Sequence, residues 1–148
     1  MSVREDIATN VVQTLQGITN PAVVIVSRNP KNKSDLAITQ YPAIIVRTSS
    51  EDRDDETMGG VRLAQVDYTV IGYVRATASA TTITNNIDTQ RNALIEAVEE
   101  GLEADRTRNG KALNCYVSNV TVDDGSIFPI GRVDITFTVQ YKYTRGTV

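Results

Sequence analysis

Val133-Asp134-Ile135-Thr136-Phe137-Thr138-Val139-Gln140-Tyr141-Lys142-Tyr143 alternates apolar and polar side chains without a fault. Successive residues of a strand point to opposite faces, so this stretch reads as a half-buried antiparallel strand with one face in a core and the other wet. Working back from it, Asn114–Val122 reads as another strand, closed by the turn Asp123-Asp124-Gly125. Residues 84–104 read as a helix. Ile83, Ile87, Leu94, Val98 and Leu102 keep one apolar stripe, Ala97 fills its seam, and Arg91 interrupts it with a stem expected along the rim. A turn at 107–110 follows.

Val61–Arg75 reads as a long strand. Val66, Tyr68, Val70, Gly72 and Val74 make the face suited to a core, while Leu63, Gln65, Asp67, Thr69, Ile71 and Tyr73 make a mixed one. At about 3.4 Å per residue such a strand spans about 50 Å. A compact chain of this length has a radius of gyration of about 15 Å, so the strand must bend, with Gly72 as the candidate, or project from the body. Residues 76–84 form a small, Thr-rich linker.

Ahead of the long strand, residues 49–59 hold Glu51, Asp52, Asp54, Asp55 and Glu56 around Arg53. Such a run repels itself, so a long solvated acidic loop is expected at about 49–60, closed by Gly59-Gly60. Residues 42–48 and 22–27 are short β-branched strands separated by a polar loop over 28–35. Residues 3–16 form a helix. Ser2 and Glu5 have the spacing of a capping box, Val3, Ile7, Val11 and Leu15 recur at i+4, and Gly17 and Asn20-Pro21 end it. The order α-β-β-β-α-β-β predicts an α+β fold: a single mixed or mainly antiparallel sheet with two helices packed on one face, in one domain over 1–148.

The chain of 148 residues contains no His. That excludes Ser-His-Asp and Cys-His hydrolases, His-ligated metal centres and a histidine proton shuttle. Cys115 is single, so no intramolecular disulfide forms, and it reads as an inert buried thiol. The net charge of −3 argues against a nucleic-acid-gripping face. Eleven of the fifteen basic residues are Arg, which suits pairing with carboxylates across protein interfaces. The N-terminal residues lead into an amphipathic pattern, so no signal peptide is expected, and no apolar run reaches the ~20 residues of a membrane span.

No motif supplies chemistry. The glycines do not form a phosphate loop, and the acidic run lacks the EF-hand spacing. Asp123 and Asp124 are adjacent and cannot flank one bond. Glu99, Glu100, Glu103 and Asp105 crowd the C-terminus of the second helix, the unfavourable end for negative charge, with Arg106 and Arg108 placed to compensate. No catalytic, metal or cofactor site is expected.

The element order and these stretches together resemble the tail terminator and tail-completion proteins of long-tailed bacteriophages. The features are the helix from Arg4-Glu5-Asp6-Ile7 to Leu15, Tyr41-Pro42-Ala43-Ile44-Ile45-Val46, the charged run before Asp67-Tyr68-Thr69-Val70-Ile71-Gly72-Tyr73-Val74, Ala93-Leu94-Ile95-Glu96-Ala97-Val98, and the closing Val139-Gln140-Tyr141-Lys142-Tyr143. The resemblance implies a virion protein of the tail or neck, assembled in the host cytoplasm. It would form a ring, a hexamer, that caps the head-proximal end of the tail tube, stops its polymerisation and offers a joining surface to the head-side connector or neck protein. DNA would pass the lumen without specific binding, and no membrane would be involved. On that reading Arg47, Arg53, Arg62 and Arg75, the acids Glu51, Asp52, Asp54, Asp55 and Glu56, and Glu99, Glu100 and Glu103 are candidate contacts to the tube or a neighbouring subunit. Another neck or tail tube protein, a small ligand-binding α+β module, and an enzyme using carboxylates or Lys are the competing readings.

Overall fold

The computed structural model describes residues 3–18, 23, 25–28, 42–55, 61–75, 87–108, 110–122 and 130–144. The fold grows from one long ladder. Strand β3 (Val61–Arg75) and strand β5 (Ile130–Thr144) pair antiparallel from Val61↔Thr144 to Arg75↔Ile130 with no shift in register. Strand β2 (Ala43–Asp55) lies antiparallel on the other side of β3, and β1 (Ile25–Ser27) pairs in parallel with its first three residues. Strand β4 (Asn114–Val122) pairs antiparallel with β5. The order across the sheet is β1-β2-β3-β5-β4. Helix α1 (Val3–Gln16) and helix α2 (Ile87–Glu103) complete the expected α-β-β-β-α-β-β order.

The two-residue period of β5 decides which face is dry. Val133, Ile135, Phe137, Val139, Tyr141 and Tyr143 are all buried, as are Ala64, Val66, Tyr68, Val70 and Val74 of β3. They meet Ile7, Val11 and Leu15 of α1 and Leu94, Val98 and Leu102 of α2 in one core. Each such apolar side chain contributes about 1.5–3 kcal/mol when buried, so a one-residue slip of β5 would expose its whole inner row. The reverse face is less wet than the sequence implies at one end. Ala43, Ile45, Ile71 and Tyr73 form a second buried cluster there, with Ile25 and Ile130 packed against it.

Several expectations need correction or restriction. The acidic run is not a loop as far as Asp55: β2 continues through Glu51, Asp52, Arg53, Asp54 and Asp55, paired with residues 62–66 of β3. Self-repulsion is outweighed because β3, held by β5 on one side, offers a row of backbone groups that need partners on the other. The ladder passes Gly72, the candidate bend, in register on both sides. The glycine's lack of a side chain serves α2, because a Cβ there would lie 2.6 Å from Leu94 Cδ2. Arg91 is buried rather than laid along the rim. The Ser2 cap, Asn20-Pro21, residues 22 and 24, the polar loop over 29–35, Glu56, Gly59-Gly60, residues 76–86 with Ile83, the Asp123-Asp124-Gly125 turn and the tail from 145 lie outside the described residues.

α2 has no basic residue in its last turn. The cation comes from the following turn. Arg108 is completely buried and adopts a φ of 47°, a left-handed conformation that costs free energy in a non-glycine residue. Its Nη1 donates to the carbonyls of Leu102 (2.6 Å) and Asp105 (3.1 Å), Nε to Asn10 Oδ1 (2.8 Å) and Nη2 to Thr14 Oγ1 (2.6 Å). The guanidinium also lies 5.9 Å from the Phe137 ring centroid. One side chain thus caps α2, offsets its acidic end and ties it to α1.

Two substitutions test this framework by urea denaturation. Arg108→Lys keeps the charge but not the planar fork, and is expected to cost about 2–4 kcal/mol by leaving buried acceptors unmet. Gly72→Ala is expected to cost about 1–3 kcal/mol by overpacking against Leu94. The loss should shrink in the Gly72→Ala, Leu94→Val double variant, and strict additivity would show that α2 does not rest on that glycine.

Candidate assembly surfaces

The register of β2 shifts between Thr48 and Ser50, so Ser49 is the extra residue of a bulge. Its consequence is a change of face. Thr48 opposes Tyr68 and Glu51 opposes Val66, so Glu51 is on the helix side of the sheet, where an unbroken alternation would put Ser50. The Glu51 side chain is only 7% exposed. Its carboxylate accepts hydrogen bonds from Tyr141 Oη (2.6 Å) and Arg53 Nε (2.5 Å), and Arg4 Nε of α1 is 3.9 Å away. Arg53 also covers the Tyr143 ring at 5.2 Å. The hydrogen bond to Glu51 raises the Arg53 pKa, and burial, aided by the same carboxylate, raises that of Tyr141. Nearby, the buried Tyr68 hydroxyl has no hydrogen-bond partner among the described residues, and burial pushes its pKa up to about 12. Glu51 and Arg53, both candidate contacts, are therefore engaged within the chain.

The remaining candidates do not converge. Arg47 and Asp52 are exposed on the face opposite the helices, and Asp52 lines a shallow pocket of about 190 Å³ with Leu63, Gln65 and Gln140. Asp54 and Asp55 oppose Leu63 and Arg62 near the end of β2, and Arg62 is half-buried. Arg75 lies at the other end of β3, opposite Ile130. Glu99 is half-buried on α2 and Glu100 exposed, the latter beside Gln13, Thr14 and Gly17 of the α1 end. Glu103 Oε2 accepts the Val117 amide of β4 (3.0 Å).

The open face has an order that the sequence did not reveal. Asp67, Thr138 and Ser118 form a hydrogen-bonded chain across three strands (2.9 and 3.0 Å), Gln140 donates to Gln65 (3.2 Å), and Ser49 bonds Thr69. Arg132 pairs with Asp134 on the same face (2.7 Å). The alternation marks these residues as outward-facing, but only the strand register says which of them meet.

Nothing in this set is arranged for catalysis. Among the described residues no cluster of His, Cys, Asp or Glu could hold a metal ion. Cys115 is buried, with Sγ 3.4 Å from the Asp105 carbonyl, and desolvation raises its thiol pKa, so the inert reading stands. No described helix is long and apolar enough to cross a membrane.

No protein-family model matches the sequence, and no curated protein matches it. The fold does have a solved counterpart. A chain from a structure described as the virion of a native gene transfer agent particle superposes with a TM-score of 0.53 at 15% identity, over 96% of this chain and 92% of that one. At that identity the likeness is one of fold, shared over nearly the whole of both chains.

Glu5 on α1 is held by Arg28, which follows β1, in a two-pronged ion pair, and this hydrogen bond lowers the Glu5 pKa below its ordinary 4.5. A depressed carboxyl contributes stability above its unfolded pKa and loses it as pH falls through the folded value. Both side chains are 41% exposed, so the effect is that of a surface pair. Glu5→Gln is expected to lower the urea midpoint slightly at neutral pH and to match the parent in acid, once the parent's carboxyl is protonated. A difference that persists in acid would assign it to packing.

Proposed function

We propose that this chain is a structural component of a phage-like virion, and within it a tail terminator: a ring that caps the head-proximal end of the tail tube, halts its polymerisation and gives the head-side connector or neck protein a surface to join. The observation that carries the reading is the near-complete fold correspondence with a chain of a gene transfer agent virion. The element order and the stretches that resemble tail terminators support it from the sequence side. The distribution of charge fits as well. Exposed Arg47, Asp52, Glu100 and Glu103 are scattered over several surfaces rather than gathered in a cleft, as contacts to several neighbours require. A ring needs heterologous contacts that close, and a lumen of net negative charge would let DNA pass without holding it. The role is non-enzymatic, needs no cofactor and belongs to the virion. Asp54, Asp55, Glu56, Arg62, Arg75 and Glu99 complete the proposed contact set.

Light scattering and negative-stain microscopy, with and without purified tail tubes, test this. The expected result is a ring, six subunits round, bound at one end of each tube. A protein that stays monomeric at high concentration in the presence of tubes overturns the reading. Incorporation along the whole tube would make it a tube subunit instead.

A further inference from the structure

Among the described residues the sheet has two unpaired edges, at the same height on opposite sides. β1 covers only Ala43, Ile44 and Ile45 of β2, so among the described residues nothing pairs with the outer edge of β2 from residue 46 to 55. On the far side β4 is the terminal strand over Asn114–Val122. Following the ladders across, Arg47 is level with Thr69, Thr136 and Asn119, and Asp52 with Gln65, Gln140 and Asn114. Each edge has one bulge, at Ser49 and at Ser118, and these fall at adjoining levels.

β4 lacks most of the devices that keep edges apart. It contains no charged residue and no Pro. The exposed large apolar side chains of the described residues, Leu113, Tyr116 and Val122, lie on it or immediately before it. Glu103 holds one of its amides, that of Val117. The strand directions settle which second edge suits it. β2, β3, β5 and β4 are each antiparallel to the next, so β4 runs opposite to β2. A second copy in the same orientation, set with its β2 beside this β4, would continue an unbroken antiparallel sheet.

We infer that copies of this chain join edge to edge, β4 of one pairing antiparallel with residues 46–55 of β2 in the next. The contact is heterologous, of the kind that closes into a ring, and so it deepens the ring-forming reading above and rests on it. Backbone hydrogen bonds make the joint, which explains why no cluster of complementary charges is needed to mark it.

Cysteine cross-linking in assembled particles tests the pairing. A tagged Ser50→Cys chain is co-expressed with an untagged chain carrying Asn114→Cys, Tyr116→Cys or Asn119→Cys, three positions that sample the register. Facing residues of neighbouring antiparallel strands have Cα atoms about 4.5–5.5 Å apart, within the reach of a disulfide. The parent chain with buried Cys115 is the control. A mixed-chain disulfide is expected in at least one pairing, at a yield about tenfold above either variant alone. Rings in the microscope with no mixed disulfide at any position overturn the edge pairing and leave the ring reading standing. A disulfide between two Tyr116→Cys chains overturns it in favour of β4 pairing with β4. Monomers with no ring overturn the ring reading, and this inference with it.

Discussion

Arg108 is the point on which the helical layer turns. Its guanidinium takes up the carbonyls of Leu102 and Asp105, the amide oxygen of Asn10 and the hydroxyl of Thr14 while wholly excluded from water. A buried cation is tolerated only when its donors are met, and here they are met by helix-end carbonyls and by side chains on the facing helix. The acidic C-terminus of α2, unfavourable for an isolated helix, is thereby neutralised from inside. The chain adopts a left-handed residue at Arg108 to make this possible. That fixes the turn leading into β4, and with it the path that puts Cys115 under the end of α2.

The sheet has a different logic. β3 and β5 pair along their whole lengths and supply the template on which a charged segment becomes a strand. The bulge at Ser49 then decides which acids face water. It turns Glu51 and Arg53 toward the helices, where Tyr141, Tyr143 and Arg4 receive them, and leaves Asp52 on the open face. An acidic run thus divides between an internal polar cluster and the surface.

The described residues give an anchored helical layer, a polar outer face and two sheet edges without a partner strand among them. This fold is the one shared with a chain of a gene transfer agent virion.

Much of this was legible in the residues. α1 at 3–16, β3 at 61–75 and β4 at 114–122 fall where the sequence periods put them, and β5 extends its alternating stretch by three residues at the start and one at the end, because helical and strand periods are local properties written into consecutive side chains. What the sequence could not show was set by partners far along the chain. Residues 49–55 read as a solvated loop until β3 is available to pair with them. Arg108 reads as one more cation at a helix end until Asn10 and Thr14, over ninety residues away in sequence, close on it. Glu51 reads as one of five surface acids until a one-residue shift turns it inward. The sequence by itself determined the elements and their buried faces. The tertiary structure alone decided which charges would be buried, because the cost of burying a charge depends on the partners that the fold brings to it.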